Sequence, residues 1–107
     1  DERWLGVHVA GKGLVVFTAC SHAGVVNVLK HAQAGFPDVK LHTVMGGLHL
    51  SGPTEAIIPD TVTALSELGL THIAAGHCTG WRAMAALVNR FGDKVMTPTA
   101  VGKRFSF

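Results

Sequence analysis

The sequence predicts an α/β fold, and three observations carry that prediction. Short β-branched or apolar runs alternate with stretches of helical period along most of the chain. Turns rich in glycine or proline separate most of these runs. A content of 48% hydrophobic against 15% charged residues suffices for a packed core and excludes a disordered or polyelectrolyte chain. With 107 residues, a single domain over 1–107 is the ceiling, and its core is small.

Residues Trp4 to Val9 and Leu14 to Thr18 read as two strands joined across Ala10-Gly11-Lys12-Gly13, a hairpin signal. From Gly24 to Ala34 the spacing of Val25, Val28, Leu29 and Ala32 predicts a helix, which Gly35-Phe36-Pro37-Asp38 ends. Lys40 to Met45 is a strand stopped by Gly46-Gly47. Ser51-Gly52-Pro53-Thr54 then leads into a helix to Leu68, with Ile58, Val62 and Leu65 toward the core and Gly69 as the stop. His72 to Ala75 is a short strand. Trp81 to Phe91 is the clearest helix, with Trp81, Met84, Val88 and Phe91 on one stripe, Thr79 as N-cap and Gly92 as stop. Lys94 to Met96 and Val101 to Phe107 read as terminal strands.

Several function classes fall away on composition. Nine Lys and Arg stand against seven Asp and Glu, a net charge of +2, and the basic residues are scattered. No nucleic-acid or anionic-membrane surface is indicated. No run reaches the ~20 apolar residues a membrane span requires. Two cysteines are too few for a disulfide scaffold and suggest a reducing, cytoplasmic compartment. The chain starts at Asp1 with no signal-like segment, which is expected of a processed chain or a piece of a longer one.

Seven histidines and thirteen glycines are many for this length, and their placement is more telling than their number. Three consecutive strand-to-helix junctions each carry a histidine among small residues: Thr18-Ala19-Cys20-Ser21-His22-Ala23-Gly24, Met45-Gly46-Gly47-Leu48-His49-Leu50 and Ala75-Gly76-His77-Cys78-Thr79-Gly80. In α/β folds ligands sit beyond the carboxyl ends of the strands, so these junctions are expected to converge. Glycine there lets the backbone turn sharply and admits close approach. Imidazole and thiolate are preferred ligands of zinc and related transition metals. His22 and His77 are therefore candidate ligands or catalytic groups, with His49 and Cys20 beside them. His8, His42 and His72 within strands and His31 on a helix read as ordinary structural residues. Cys78 reads first as a small buried residue, with metal ligation as the second reading, and Trp81 and Met84 read as core. Arg82 is placed to meet either solvent or an anionic group. A Cys20–Cys78 disulfide is open to the geometry if the loops converge.

Other catalytic schemes lack their residues. There is no Gly-x-Ser-x-Gly elbow, no phosphate-binding Gly-x-x-x-x-Gly-Lys-Ser/Thr and no Gly-x-Gly-x-x-Gly after a strand. Ser21 beside His22 lacks a well-placed acid, and the junctions hold no carboxylate pair.

The stretch from Gly13 to Asn27, centred on Ala19-Cys20-Ser21-His22-Ala23-Gly24, resembles one branch of the metallo-β-lactamase superfamily. So do Val44-Met45-Gly46-Gly47-Leu48-His49-Leu50 and Gly76-His77-Cys78-Thr79-Gly80-Trp81 at matching distances. That branch is described as 7,8-dihydropterin-6-methyl-4-(β-D-ribofuranosyl)aminobenzene-5′-phosphate synthase-like, or as metal-dependent hydrolase. The resemblance covers nearly the whole chain. It implies half of an αββα sandwich, a mixed sheet with helices packed on one face, and specifically the C-terminal half. The superfamily's His-x-His-x-Asp-His motif belongs to the other half and is absent here.

By the same resemblance His77 matches the superfamily's final histidine ligand. The Cys20–His22 turn falls where most members carry a bridging aspartate, making His22, or in second place Cys20, the substituted ligand. His49 lies in a branch-specific motif, with ligation, support of a ligand or substrate binding all open to it. The implied cofactor is zinc or another divalent transition metal, iron or manganese, with one or two ions in the complete enzyme. The implied activity is attack of metal-bound hydroxide on an ester, phosphoester or related small-molecule substrate. A half-sandwich exposes a sheet face, so an N-terminal half, a partner chain or a homodimer is expected to cover it. Two competing expectations stand beside this one. The first is a non-enzymatic oligomerising domain that keeps the motifs for folding, and the second a thiol redox module built on Cys20 and Cys78.

Overall fold

The computed structural model describes residues 2–107, and Asp1 lies outside them. The elements are β1 (Trp4–Val9), β2 (Gly13–Thr18), α1 (Val25–Gly35), β3 (Leu41–Gly47), α2 (Ile58–Glu67), β4 (His72–Gly76), α3 (Trp81–Phe91) and β5 (Met96–Pro98). They form one sheet in the order β1-β2-β3-β4-β5. The β1–β2 hairpin is antiparallel and every later pair is parallel. Successive parallel strands are neighbours, and each crossover carries one helix with the usual right hand, so the helices land on the same face. This is the α/β arrangement expected from the sequence, a mixed sheet with helices on one side.

The core lies between that face and the helices. Leu14, Val16, Val44, Ile73, Ala75 and Met96 from the sheet pack with Val28 and Leu29 of α1, Val62 and Leu65 of α2 and Leu87 of α3. Strand alternation turns Val15, Phe17, Thr43, Met45 and Ala74 to the opposite face. Of the described helices none is long and apolar enough to cross a membrane.

Some expected elements differ in detail, each for a local reason. The segment before α2 is a 3₁₀ turn over Gly52–Ile57, since Pro53 sits at its start and no apolar face draws it into the core. In α3 the inward residues are Ala83 and Leu87, with Met84 and Phe91 at the edge of the core. Trp81 is 72% exposed and Val88 41% exposed, contrary to the expected stripe. Trp81 opens the helix at the rim, where the Arg82 guanidinium lies 4.9 Å from its ring and also pairs with Glu55 at 2.7 Å. Thr79 does not cap α3. The N-cap is Gly80, with no side-chain bond. The strand expected at Lys94 to Met96 starts at Met96.

The expected terminal strand at 101–107 is not formed. Gly102 has φ 81°, and the Lys103 N–H bonds back to the Ala100 carbonyl at 3.1 Å, turning the chain away from strand pairing. Phe105 and Phe107 instead lie against the rings of His72 and His42, with centroids 5.9 and 6.2 Å apart. On the side of the sheet away from the helices Val15, Thr43 and Ala74 are fully buried, whereas Leu5 and Val7 of the edge strand β1 are 63% and 42% exposed.

The two histidines under this tail are held below their ordinary pKa of 6.5. For His72 the main cause is desolvation, followed by the charges of His42 and Lys103. For His42 it is again desolvation, then Lys12 and Lys40. A depressed histidine pKa means that the folded state binds a proton less readily than the unfolded chain. The associated stability is complete above 6.5 and is lost as the pH falls through the folded values. The melting temperature should fall on acidification below 6.5, and the His42→Asn, His72→Asn double variant should show a flatter profile. Parallel profiles in calorimetry would show that these rings do not set the acid limb.

Candidate metal centre

The three histidine-bearing junctions meet at the carboxyl end of the parallel strands. The register explains why: Thr18 of β2 lies level with Gly46 of β3, which lies level with Ala75 of β4. The three chains leave the sheet side by side and are then tied together. The Gly47 N–H donates to the Ala19 carbonyl at 3.0 Å, and the Ser21 hydroxyl to the Gly47 carbonyl at 2.8 Å. The Thr79 hydroxyl accepts the Leu48 N–H at 3.1 Å and donates to the Gly76 carbonyl at 2.6 Å. The Leu50 N–H and the Ser51 hydroxyl both donate to the Cys78 carbonyl. Ser21 and Thr79 are buried, so these polar groups are satisfied inside the loops and not by solvent.

Space is as tightly used as hydrogen bonding. A Cβ on Gly47 would lie 2.7 Å from the Ala19 carbonyl oxygen, 2.8 Å from Cys78 Sγ and 3.3 Å from Cys20 Cα. Only glycine lets the first and third loops close over the second. Each loop also holds one non-glycine residue in the left-handed region: Ser21 at φ 60°, His49 at φ 49° and His77 at φ 52°. Such conformations cost about 1–3 kcal/mol each and persist only where surrounding contacts fix them.

Cys20, His77 and Cys78 come together. Their ligand atoms all lie within 4.8 Å of one another, a spacing that suits a shared metal ion. Cys20 Sγ is 3.8 Å from His77 Nε2, and the Cys78 thiol points at the Cys20 carbonyl at 3.4 Å. His77 is exposed and both thiols are half-buried, so the cluster is reachable from outside. The Cys20 thiol is pushed above its ordinary pKa, first by desolvation and then by the hydrogen bond and charge of Cys78 and the charge of Glu2. A cation here would oppose that charge effect and favour thiolate.

His22 and His49 form a second pair, with ring centroids 4.3 Å apart and planes inclined at 53°. His49 Nδ1 is buried without a hydrogen-bond partner among the described residues. His22 also lines an open groove of about 600 Å³ with Glu2, Arg3, Ala19, Cys20 and Ala23. One wall is fixed where the Ala23 N–H donates to the Glu2 carboxylate at 2.9 Å. Of the residues singled out in the sequence, Cys20 and His77 therefore share the compact cluster, whereas His22 lies beside it against His49. Cys78, for which ligation was only the second reading, joins Cys20 and His77, and its signal was adjacency to His77 on a turn expected to converge with Cys20.

No protein-family profile matches the chain. Over 93 residues, 87% of its length, it is 36% identical to the 7,8-dihydropterin-6-methyl-4-(β-D-ribofuranosyl)-aminobenzene-5′-phosphate synthase of Methanocaldococcus jannaschii, of which it covers 31%. It also superposes on the crystal structure of Tm1679, a metal-dependent hydrolase of the β-lactamase superfamily. There the TM-score is 0.81 and the identity 32%, over 97% of this chain and 40% of that one. The chain thus spans less than half the length of either protein. Fold and sequence are both similar to those of the metallo-β-lactamase superfamily. Within that superfamily the likeness is to the synthase and the metal-dependent hydrolase just described.

Two substitutions test how the loops are held. Gly47→Ala should destabilise the fold by about 1–3 kcal/mol through overpacking, read by denaturant unfolding. Thr79→Val leaves the Leu48 N–H buried and unpaired and should cost about 1–3 kcal/mol, with Thr79→Ser close to wild type. A Gly47→Ala variant of unchanged stability would mean that the three loops are not closely packed.

Proposed function

We propose that this chain is the C-terminal part of a metal-dependent hydrolase acting on an ester, phosphoester or related small molecule. The observation that carries the reading is the Cys20, His77 and Cys78 cluster, its donor atoms within 4.8 Å of one another at the loop end of the sheet. It is supported by the likeness to a metal-dependent hydrolase along nearly the whole chain.

The donor set suits the chemistry. Two thiols and an imidazole favour zinc or iron over magnesium or calcium, which take oxygen ligands. In this reading Cys20, His77 and Cys78 hold the ion, and His22 is a further ligand on the groove side. When bound, such an ion supplies Lewis acidity and lowers the pKa of a coordinated water.

The chain's own residues have separate tasks. The left-handed turns at Ser21 and His77 present Cys20 and His77 toward each other across the loop ends. His49, packed against the His22 ring, holds that ring in place. Its buried Nδ1 has no hydrogen-bond partner among the described residues. Arg3 is the cation lining the groove and suits an anionic group on the substrate. The remaining ligands and the cover of the open sheet face come from the rest of the protein, either as an N-terminal half or as a partner chain.

Metal analysis of the purified protein tests this reading. About one zinc, iron or manganese per chain is expected, with loss of the ion in a Cys20→Ser, His77→Ala variant that retains its circular dichroism. His22→Ala should weaken binding less than His77→Ala. A folded wild type without stoichiometric metal would instead support the non-enzymatic oligomerising domain, whose loops serve folding alone.

A further inference from the structure

We propose that Cys20 and Cys78 form a reversible intramolecular disulfide, a modification site that uses the same two sulfurs as the metal centre. The residues are 58 positions apart, yet the Cys78 thiol already points at the Cys20 carbonyl at 3.4 Å. Their Sγ atoms lie within 4.8 Å of one another. Both cysteines are free and half-buried, so a small oxidant reaches them. Closing to the ~2.05 Å of a disulfide asks for a thiol rotation and a small loop adjustment, not a rearrangement of the sheet. The missing Cβ of Gly47 leaves the room, since that position faces both Cys78 Sγ and Cys20 Cα.

The chemistry balances with hydrogen peroxide as oxidant. One thiol is oxidised to a sulfenic acid with release of water. The second sulfur then attacks the first, the S–S bond forms and the sulfenic oxygen leaves as a second water. Two thiols are oxidised, one peroxide is reduced, and an external dithiol reverses the step by exchange. Sulfurs joined to each other are no longer thiolate ligands, so disulfide and ion exclude one another. That last clause rests on the proposed metal centre, whereas the disulfide rests on the thiol geometry alone.

The test treats reduced, metal-free protein with hydrogen peroxide and follows thiol titration and intact mass. The expected result is loss of both titratable thiols and of two hydrogens, a cross-linked peptide joining Cys20 to Cys78, and full recovery with dithiothreitol. Cys20→Ser and Cys78→Ser should each yield only oxygen adducts or intermolecular dimers. The proposal is overturned if wild-type protein behaves like these variants or keeps both thiols. Zinc loaded beforehand should slow disulfide formation roughly tenfold or more, because the ion occupies the thiolates. An unchanged rate in protein that demonstrably carries zinc removes the mutual exclusion. Failure of the reduced protein to bind zinc removes the metal centre instead, and the mass spectrum still decides the disulfide.

Discussion

Three loops have to close on one another at the end of the sheet, and that constraint governs the rest of the site. The parallel register makes Thr18, Gly46 and Ala75 neighbours, so the loops begin level and a few ångströms apart. Backbone bonds from Gly47 to Ala19 and from Leu50 to Cys78 then tie the middle loop to its neighbours on either side. The absent Cβ at Gly47 sets how close the outer two come. Cys20, His77 and Cys78 become neighbours as a consequence of that closure. No contact among their own side chains is strong enough to create it, since a 3.8 Å sulfur–nitrogen approach is a weak hydrogen bond.

Closure is opposed by backbone strain, and the strain is distributed one residue to a loop. Ser21, His49 and His77 are the described non-glycine residues with positive φ. A left-handed residue at a strand end re-aims the side chains on both sides of it. At His77 this turns the imidazole and the neighbouring thiol toward Cys20. Ser21 bridges Thr18 and Gly47 through its hydroxyl, and thereby fixes the turn that carries Cys20 and His22. Glycine would relieve all three positions at no steric cost. Non-glycine residues there imply that the side chains matter more than the relief, and two of the three are histidines.

The order of strands and helices was legible because each run is long enough to show its period, and the convergence of the junctions follows from α/β topology. What stayed hidden depends on phase and distance. For α3 the period was right, but the face was rotated: Trp81, Met84 and Val88 do share a stripe, yet the helix turns Ala83 and Leu87 inward and leaves Trp81 at the rim. Thr79 looks like an N-cap in sequence because it precedes a helix. Its true partner, Leu48, is 31 residues away and no local pattern reveals it. The alternation of Lys103 to Phe107 mimics a strand, yet those rings serve to cover His72 and His42. Cys78 was undervalued for a related reason, since a lone cysteine beside a histidine gains meaning only once Cys20 is known to lie across from it.

The apolar edge strand and the groove beside the cluster are both open to solvent. Leu5 and Val7 are exposed apolar side chains on the edge strand, while their cross-strand partners Phe17 and Val15 on the same face are half-buried and buried. The tail lies against His42 and His72. A hydrolytic site needs three protein ligands and an open position, held in a cavity from which bulk water is largely excluded. Among the described residues the chain offers Cys20, His77 and Cys78 as donors beside an open groove, and it spans less than half the length of the two proteins it resembles. The proposed division of labour follows from that. These 107 residues set the positions of sulfur and nitrogen through a rigid, strained loop end. Whatever packs on the exposed face then decides how dry the site is and which substrates fit it.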